Sequence, residues 1–254
     1  MLGWIADRLP SLARHITKLG HEVASHGDNH CLNTSLPADI LRQELEASRQ
    51  RLEDIIGQPV IGYRAPSFAI DDAVLEAIRN AGYRYDSSYN SFALNSRYGK
   101  LENINHAASK AIFEYNPEFF EIPLSNLSVG GIAFPWSGGG YFRLLPIGMY
   151  LAGIKYHLRR CHSYTFYIHP WEIDPSQPVV EEAGRVAKFR HYLNLDKTQH
   201  RIALLIRALE NCRFVSCRRH MGEYRAANPK PYGSVGNPKT HDPIVQPKTK
   251  AVAP

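Results

Sequence analysis

Between Pro10 and Tyr85 one pattern recurs three times: an amphipathic stretch at helical spacing, a glycine, then a short run of strand character. The first stretch sets Leu12, Ile16 and Leu19 on one face, stops at Gly20 and is followed by Glu22 to Ser25. The second carries Leu41, Leu45, Leu52, Ile55 and Ile56, opens at Ser35 and Pro37, and closes at Gly57 before Val60 to Tyr63. The third runs from Asp71, a natural N-cap, to Ala81, then Gly82 and Tyr83-Arg84-Tyr85. Apolar residues every three or four positions bury one helix face, and a glycine ends the helix by taking the left-handed conformation. Helices alternating with short strands specify a parallel sheet, since successive parallel strands need a crossover between them. The expected fold class is α/β, barrel-like or doubly wound.

The remainder is less regular. Phe119 to Pro123 and Tyr164 to Ile168 read as strands, and Leu144 to Leu158 as a helix. Ile202, Leu205, Ile206 and Leu209 share a helical face, and Arg213 to Ser216 reads as a final strand. From about Gly222 the chain is rich in Pro, Lys, Gly and Asn with hardly any large apolar residue, so residues 222–254 are expected to be a disordered tail behind one domain over 1–221. A chain of 254 residues supports one substantial core and is too short to assume two.

The net charge of +6 is concentrated at Arg213, Arg218, Arg219 and in the tail, with no basic stripe interleaved with aromatics, so no nucleic-acid partner is expected. No apolar run approaches the ~20 residues needed to span a bilayer. Trp4, Asp7, Arg8 and Pro10 interrupt any signal-peptide core, which gives an expected location in the cytoplasm or peripheral to the cell envelope. Cys31, Cys161, Cys212 and Cys217 form no C-x-x-C pair and read as reduced thiols. The oligomeric state is open.

In parallel α/β folds the residues that do chemistry gather at the carboxyl ends of strands. The first polar residues there are His26, Arg64, Asp86 and His169. His26 and His30, four residues apart in Ser25-His26-Gly27-Asp28-Asn29-His30, can turn toward one point and bind a divalent metal. Gly27 stands where zinc peptidases carry Glu, and Gly27, Asp28 and Asn29 favour a loop. With twelve histidines in the chain, solvated or packed imidazoles are the plain alternative. Arg64, in a loop stiffened by Pro66, suits holding a carboxylate through two parallel hydrogen bonds, against a surface ion pair. His169, ahead of Pro170-Trp171-Glu172, suits giving a proton to a leaving amine, against simple packing beside Trp171.

The order of these motifs resembles the polysaccharide deacetylase family, the NodB-homology carbohydrate esterases, from Leu2 to about Phe214. Ser25 to His30 resembles its metal pair, Tyr63-Arg64-Ala65-Pro66-Ser67-Phe68 its arginine motif, Tyr85-Asp86-Ser87-Ser88 its third motif, and Tyr167 to Glu172 the last. Gly138-Gly139-Gly140-Tyr141-Phe142-Arg143 and Phe189-Arg190-His191-Tyr192 further resemble a subgroup linked to bacterial exopolysaccharide export. The resemblance implies an incomplete (β/α) barrel and a metal-dependent N-deacetylase acting on N-acetylated amino sugars of a polysaccharide. It implies a divalent metal, usually zinc, on His26 and His30, with His169, Arg64 and Asp86 as catalytic residues and Pro66, Phe68, Tyr141 and Trp171 against the substrate. Arg64 would orient an aspartate base, and Asp86 would tune His169.

The family begins with a strand ending in a Thr-Phe-Asp type motif that supplies this base and a third metal ligand. Met1-Leu2-Gly3-Trp4 instead matches a point after the second family strand, so the first strand, first helix and most of the second strand are expected to be missing. Asp7 is then the only acid before Glu22, and Asp28 lies between the histidines, within reach of a metal there but outside the family pattern. The alternatives are a non-catalytic carbohydrate-binding or complex-forming protein keeping Tyr141, Trp136 and Trp171, and a related amide hydrolase acting on cyclic ureides.

Overall fold

The glycine stops and caps act where the sequence places them in the computed structural model, which describes residues 1–92, 98, 101, 111–130 and 132–229. A short helix α1, Gly3–Arg8, precedes α2, Pro10–Lys18, which has Pro10 in its first turn. Helix α3, Ala38–Ile56, buries Leu41, Leu45 and Leu52 and ends at Gly57, whose φ of 67° is left-handed. Helix α4, Asp72–Asn80, is capped by the Asp71 carboxylate, which accepts from the Val74 N–H at 2.8 Å. Such a cap stabilises a helix by about 1 kcal/mol.

Strands β1, Gly62–Tyr63, β2, Tyr85–Asp86, β3, Phe113–Asn116, and β4, Phe119–Glu121, form one sheet in the order β1-β2-β4-β3. The first three neighbours run parallel and β3 is antiparallel to β4. The expected strand Glu22 to Ser25 contracts to one parallel bridge between Ser25 and Tyr63. There the Ser25 N–H donates to Gly62 O and the Arg64 N–H to Ser25 O, while the other edge of residues 24–26 meets the backbone of Met1.

Parallel strands are covered on both faces, and their side chains divide accordingly. Tyr83 and Phe119 pack with Leu45, Leu52, Leu75 and Ile78 of α3 and α4, whereas Tyr85, Phe120 and Ile122 pack with Met221 on the opposite face. Met221 belongs to the last described helix, α9, Cys217–Ala227. This corrects two expectations. Residues 213–216 are not a strand, since Ser216 caps α9 by accepting from the Arg219 N–H, and the chain beyond Met221 stays helical to Ala227 because Tyr224 packs edge-on to Phe120. The rest of the expected tail, 230–254, lies outside the described residues.

The second half holds a hairpin of β5, Asn126–Val129, and β6, Ile132–Pro135, then α5, Gly139–Leu144, α6, Ile147–Cys161, α7, Arg185–Tyr192, and α8, Leu195–Ala208. Its core is Phe142, Tyr150, Ile154, Leu205 and Leu209. The expected strand Tyr164 to Ile168 pairs at a single bridge, Tyr167 to Gly138. The architecture is therefore mixed α/β with a sheet that does not close, as in an incomplete barrel. No helix among the described residues is long and apolar enough to cross a membrane.

A Cβ placed on Gly62 would lie 2.1 Å from atoms of the buried Tyr85 ring. Overpacking of this kind costs about 1–3 kcal/mol. Gly62→Ala is expected to lower the unfolding free energy by that amount in a urea melt; an unchanged midpoint would show that the β1–β2 contact is looser than described.

Candidate functional site

Register lines up the strand ends: Ser25 lies opposite Tyr63, Tyr63 opposite Asp86, and Asp86 opposite Glu121. The residues that follow, His26, Arg64, Ser87 and Ile122, consequently leave the sheet along one edge.

His26 is partly buried and its Nδ1 donates to the Arg64 carbonyl at 2.6 Å. A carbonyl only accepts, so Nδ1 carries the hydrogen and Nε2 keeps a free lone pair. Burial lowers the His26 pKa to about 4, with the Arg64 carbonyl bond opposing in part. The ring is thus neutral at pH 7, the form that ligates metals. His30 is exposed, at a left-handed φ of 60°, with its ring 5.0 Å from that of His26 and at 73° to it. Gly27, at φ 82°, makes the turn between them, and Glu44 of α3 anchors it by accepting from the Asp28 and Asn29 N–H groups and the Asn29 side chain. Asp28 meets Arg51 of α3 at 3.3 Å rather than the histidines. Among the described residues no group of three or more His, Cys, Asp or Glu side chains is placed to hold a metal. His26 and His30 therefore form a donor set of two imidazoles, suited to a borderline-soft divalent ion, one short of the three protein ligands a catalytic zinc normally keeps.

Arg64 does not grip a carboxylate among the described residues. Its Nε donates to Ser87 O and its Nη2 to Ser87 Oγ, each at 2.7 Å, which fastens the end of β1 to the end of β2. Asp86 does not reach His169 either. Its Oδ1 accepts from Ser88 Oγ at 2.8 Å, and Ser88 Oγ in turn accepts from the Ala65 N–H at 2.7 Å. Asp86 and Glu121 are both 0% exposed and lie opposite each other in the β2–β4 register, so that each carboxyl feels the other. Glu121 Oε1 accepts from the Ser88 and Tyr89 N–H groups, while Asp86 Oδ2 and Glu121 Oε2 are buried without a hydrogen-bond donor among the described residues. Two neighbouring carboxyl groups removed from water disfavour a charge on both, which favours a proton on one of them. Burial raises Asp86 to about 6 against its hydrogen bonds, and burial together with the Asp86 charge raises Glu121 well above its ordinary value.

His169 finds its carboxylate three residues on, in the 3-10 turn Pro170–Ile173. Glu172 Oε1 accepts from both the His169 N–H at 3.1 Å and the ring Nδ1 at 3.0 Å, and Oε2 accepts from Arg143 Nε at 2.9 Å. Burial works against the Glu172 charge, but the bonds from His169 and Arg143 outweigh it and hold the carboxyl below its ordinary value. The His169 side chain remains 49% exposed.

Tyr167 joins the two halves. The Arg64 guanidinium lies 5.9 Å from its ring centre, Phe68 meets it edge-on at 5.1 Å, and the His169 ring is 5.8 Å away. Pro66 and Phe68 are buried, and Phe68 has a φ of 58°, a conformation that bulky residues seldom adopt. Tyr141 is partly buried against the Phe142 core, and Trp136 stacks on Tyr150. Trp171 is the expected substrate-side residue whose ring meets His169, at 5.6 Å and 21°, and it also stacks on His191 at 4.1 Å. Sequence reasoning did not single out Arg143, Glu172 or Glu121 as site residues. The spacing of Glu172 from His169 is that of a capping box, which was a usable signal; the partnership of Glu121 with Asp86 exists only through register.

Residues 1–85 match the family model Polysaccharide deacetylase, and residues 87–221, more than half of the chain, match Domain of unknown function (DUF3473). The chain belongs to the polysaccharide deacetylase family. A peptidoglycan-N-acetylglucosamine deacetylase of Bacillus cereus is 29% identical over 84 residues, which are 33% of this chain and 39% of that relative. The chain thus matches about two fifths of the length of that curated relative. The structure of a protein assigned as a polysaccharide deacetylase from Mycobacterium smegmatis superposes with a TM-score of 0.50 at 19% identity, covering 89% of this chain and 70% of that one, and shares its fold. A family 4 carbohydrate esterase from Streptomyces lividans, solved with acetate, gives a TM-score of 0.33 at 21% identity over 35% of this chain and 46% of that one.

The Asp86–Glu121 pair makes stability depend on pH. Both carboxyls bind protons more tightly folded than unfolded, so their contribution is full at low pH and is lost as pH rises from about 4 through the folded value of Asp86, about 6, and beyond. In Glu121→Gln the fall in unfolding free energy between pH 4 and pH 8 is expected to shrink, on the order of 1–3 kcal/mol. Urea melts across that range check it.

Proposed function

We propose that the domain removes acetyl groups from N-acetylated amino sugars of a polysaccharide at the cell envelope, with His26 and His30 holding a divalent metal, zinc by preference. The observation that carries this reading is the tautomer of His26. Its Nδ1 hydrogen is committed to the Arg64 carbonyl, so the lone pair of a neutral imidazole is presented at the strand edge beside His30. A divalent ion there supplies Lewis acidity toward an acetamide carbonyl.

The chain's own residues orient the site and supply the proton for the leaving amine, while the base that takes the water's proton belongs to the motif expected to be missing. Arg64 ties the end of the strand that carries it to Ser87 on the neighbouring strand, with its guanidinium 5.9 Å from the Tyr167 ring centre. His169 donates a proton from Nε2 to the departing amine, since Nδ1 is held by Glu172. Trp171 lines the substrate side next to it, with an apolar ring suited to a sugar face. The name of the Bacillus cereus relative points to N-acetylglucosamine as the sugar.

Two measurements test this. Calorimetric titration with zinc should show binding that His26→Ala and His30→Ala each weaken by at least about tenfold. Acetate release from an N-acetylglucosamine oligomer should be abolished by chelator, and lowered roughly 10²- to 10⁴-fold in His169→Ala. Oligomer binding that survives chelation with no acetate released by the metal-loaded protein would instead identify a carbohydrate-binding protein.

A further inference from the structure

We propose that the buried ion pair of Arg143 and Glu172 is a positioning pair for His169, fixing which ring nitrogen carries the hydrogen and where the other one faces. Through Arg143 it also ties that orientation to the backbone of residues 190–193. The inference rests on the reading of His169 as a proton donor, but it concerns different atoms. The family resemblance implies that Asp86 tunes this histidine, and the geometry gives that place to Glu172.

The carboxylate of Glu172 is bound on every side by this arrangement. Oε1 takes the backbone N–H and the ring Nδ1 of the same residue, His169, and Oε2 takes Arg143 Nε. Its close seat against α5 depends on Gly139, where a Cβ would lie 2.0 Å from Oε2. Both side chains of the pair are 2% exposed. Arg143 spends its remaining donors on main chain: Nη1 on the carbonyls of His191 and Leu193, each at 2.8 Å, and Nη2 on that of Arg190 at 3.2 Å. Its guanidinium carbon also sits 5.1 Å from the Trp171 ring centre. A lysine cannot serve one carboxylate and three carbonyls from one fork, so this position discriminates between two cations of equal charge. Removing one partner of a buried pair leaves the other uncompensated, and Glu172 without Arg143 would favour its neutral form and lose its hold on the imidazole.

A neutral histidine in water favours hydrogen on Nε2. A carboxylate at Nδ1 reverses that preference, and the ring then faces the substrate with Nε2 able to take up and give the proton that is transferred. The same carboxylate holds the backbone N–H of His169, so ring and main chain turn together.

The test uses the full chain labelled with ¹⁵N-histidine and long-range ¹H–¹⁵N correlation spectra at alkaline pH, with His169 assigned by its loss in His169→Gln. The wild type should show hydrogen on Nδ1 of His169. Glu172→Ala should shift it to the Nε2 form, and Arg143→Lys should give a mixture. With an N-acetylglucosamine oligomer as probe, kcat should fall about 10- to 100-fold in either variant, with KM changed less than about twofold. Far-ultraviolet circular dichroism establishes that each variant is folded, and should Glu172→Ala fail to fold, Arg143→Lys decides. A folded variant whose His169 keeps hydrogen on Nδ1 overturns the proposal and leaves the pair as structural glue between α5 and residues 190–193. A wild type that releases no acetate defeats the deacetylase reading, while the tautomer spectra still judge the positioning pair.

Discussion

The candidate site depends on four polar side chains buried side by side across very short strands. Ser25, Tyr63, Asp86 and Glu121 are neighbours in register, and each is 0–2% exposed. Two-residue strands contribute too few ladder bonds to set their own alignment, and a slip by one residue would turn every side chain to the other face. The polar row resists that slip. Ser25 Oγ lies 2.7 Å from Ser48 Oγ, the Tyr63 hydroxyl accepts from Asn33 at 2.9 Å, Asp86 accepts from the Ser88 hydroxyl, and Glu121 accepts from the Ser88 and Tyr89 N–H groups. Each would be left buried without a partner in another register, at about 1–3 kcal/mol or more apiece. The histidines and Arg64 stand where they do because the row beneath them cannot shift.

Two family models meet between residues 85 and 87, and the contacts of the site cross that boundary. Arg64 and Phe68 from the first part contact the ring of Tyr167 from the second, while α9 of the second part lays Met221 and Tyr224 against Tyr85 and Phe120 of the sheet. His26 and His30 in the first part and His169 in the second therefore lie on either side of the contacts made by the Tyr167 ring.

The repeated helix, glycine and strand pattern made the first 86 residues legible, because caps and stops such as Asp71 and Gly57 act locally and need no partner to be understood. The strand ends, and with them His26, Arg64, Asp86 and His169, followed from the rule that parallel sheets present their loops at one edge. What failed was partner choice. Asp86 was expected to tune His169 and instead lies against Glu121, while Arg64 holds a serine and the aspartate it was expected to orient belongs to the motif expected to be missing. Partnership between residues 35 apart depends on register, which composition and periodicity do not carry. The final helix was missed for a related reason: Cys217, Met221 and Tyr224 have helical spacing, but three moderate residues among many charges gave a weak signal until the uncovered face of the sheet supplied the reason to bury them.

Glu172 binds the imidazole and the amide of one residue with a single oxygen. The rotational freedom of His169 is therefore surrendered when the chain folds rather than when a ligand arrives. Freezing a side chain costs roughly 0.5–1.5 kcal/mol, and a site in which that cost falls on folding meets its ligand already ordered on the acid side. On the other side, His30 stands exposed on a left-handed backbone position. The side-chain entropy still to be lost on that side therefore lies mainly in His30.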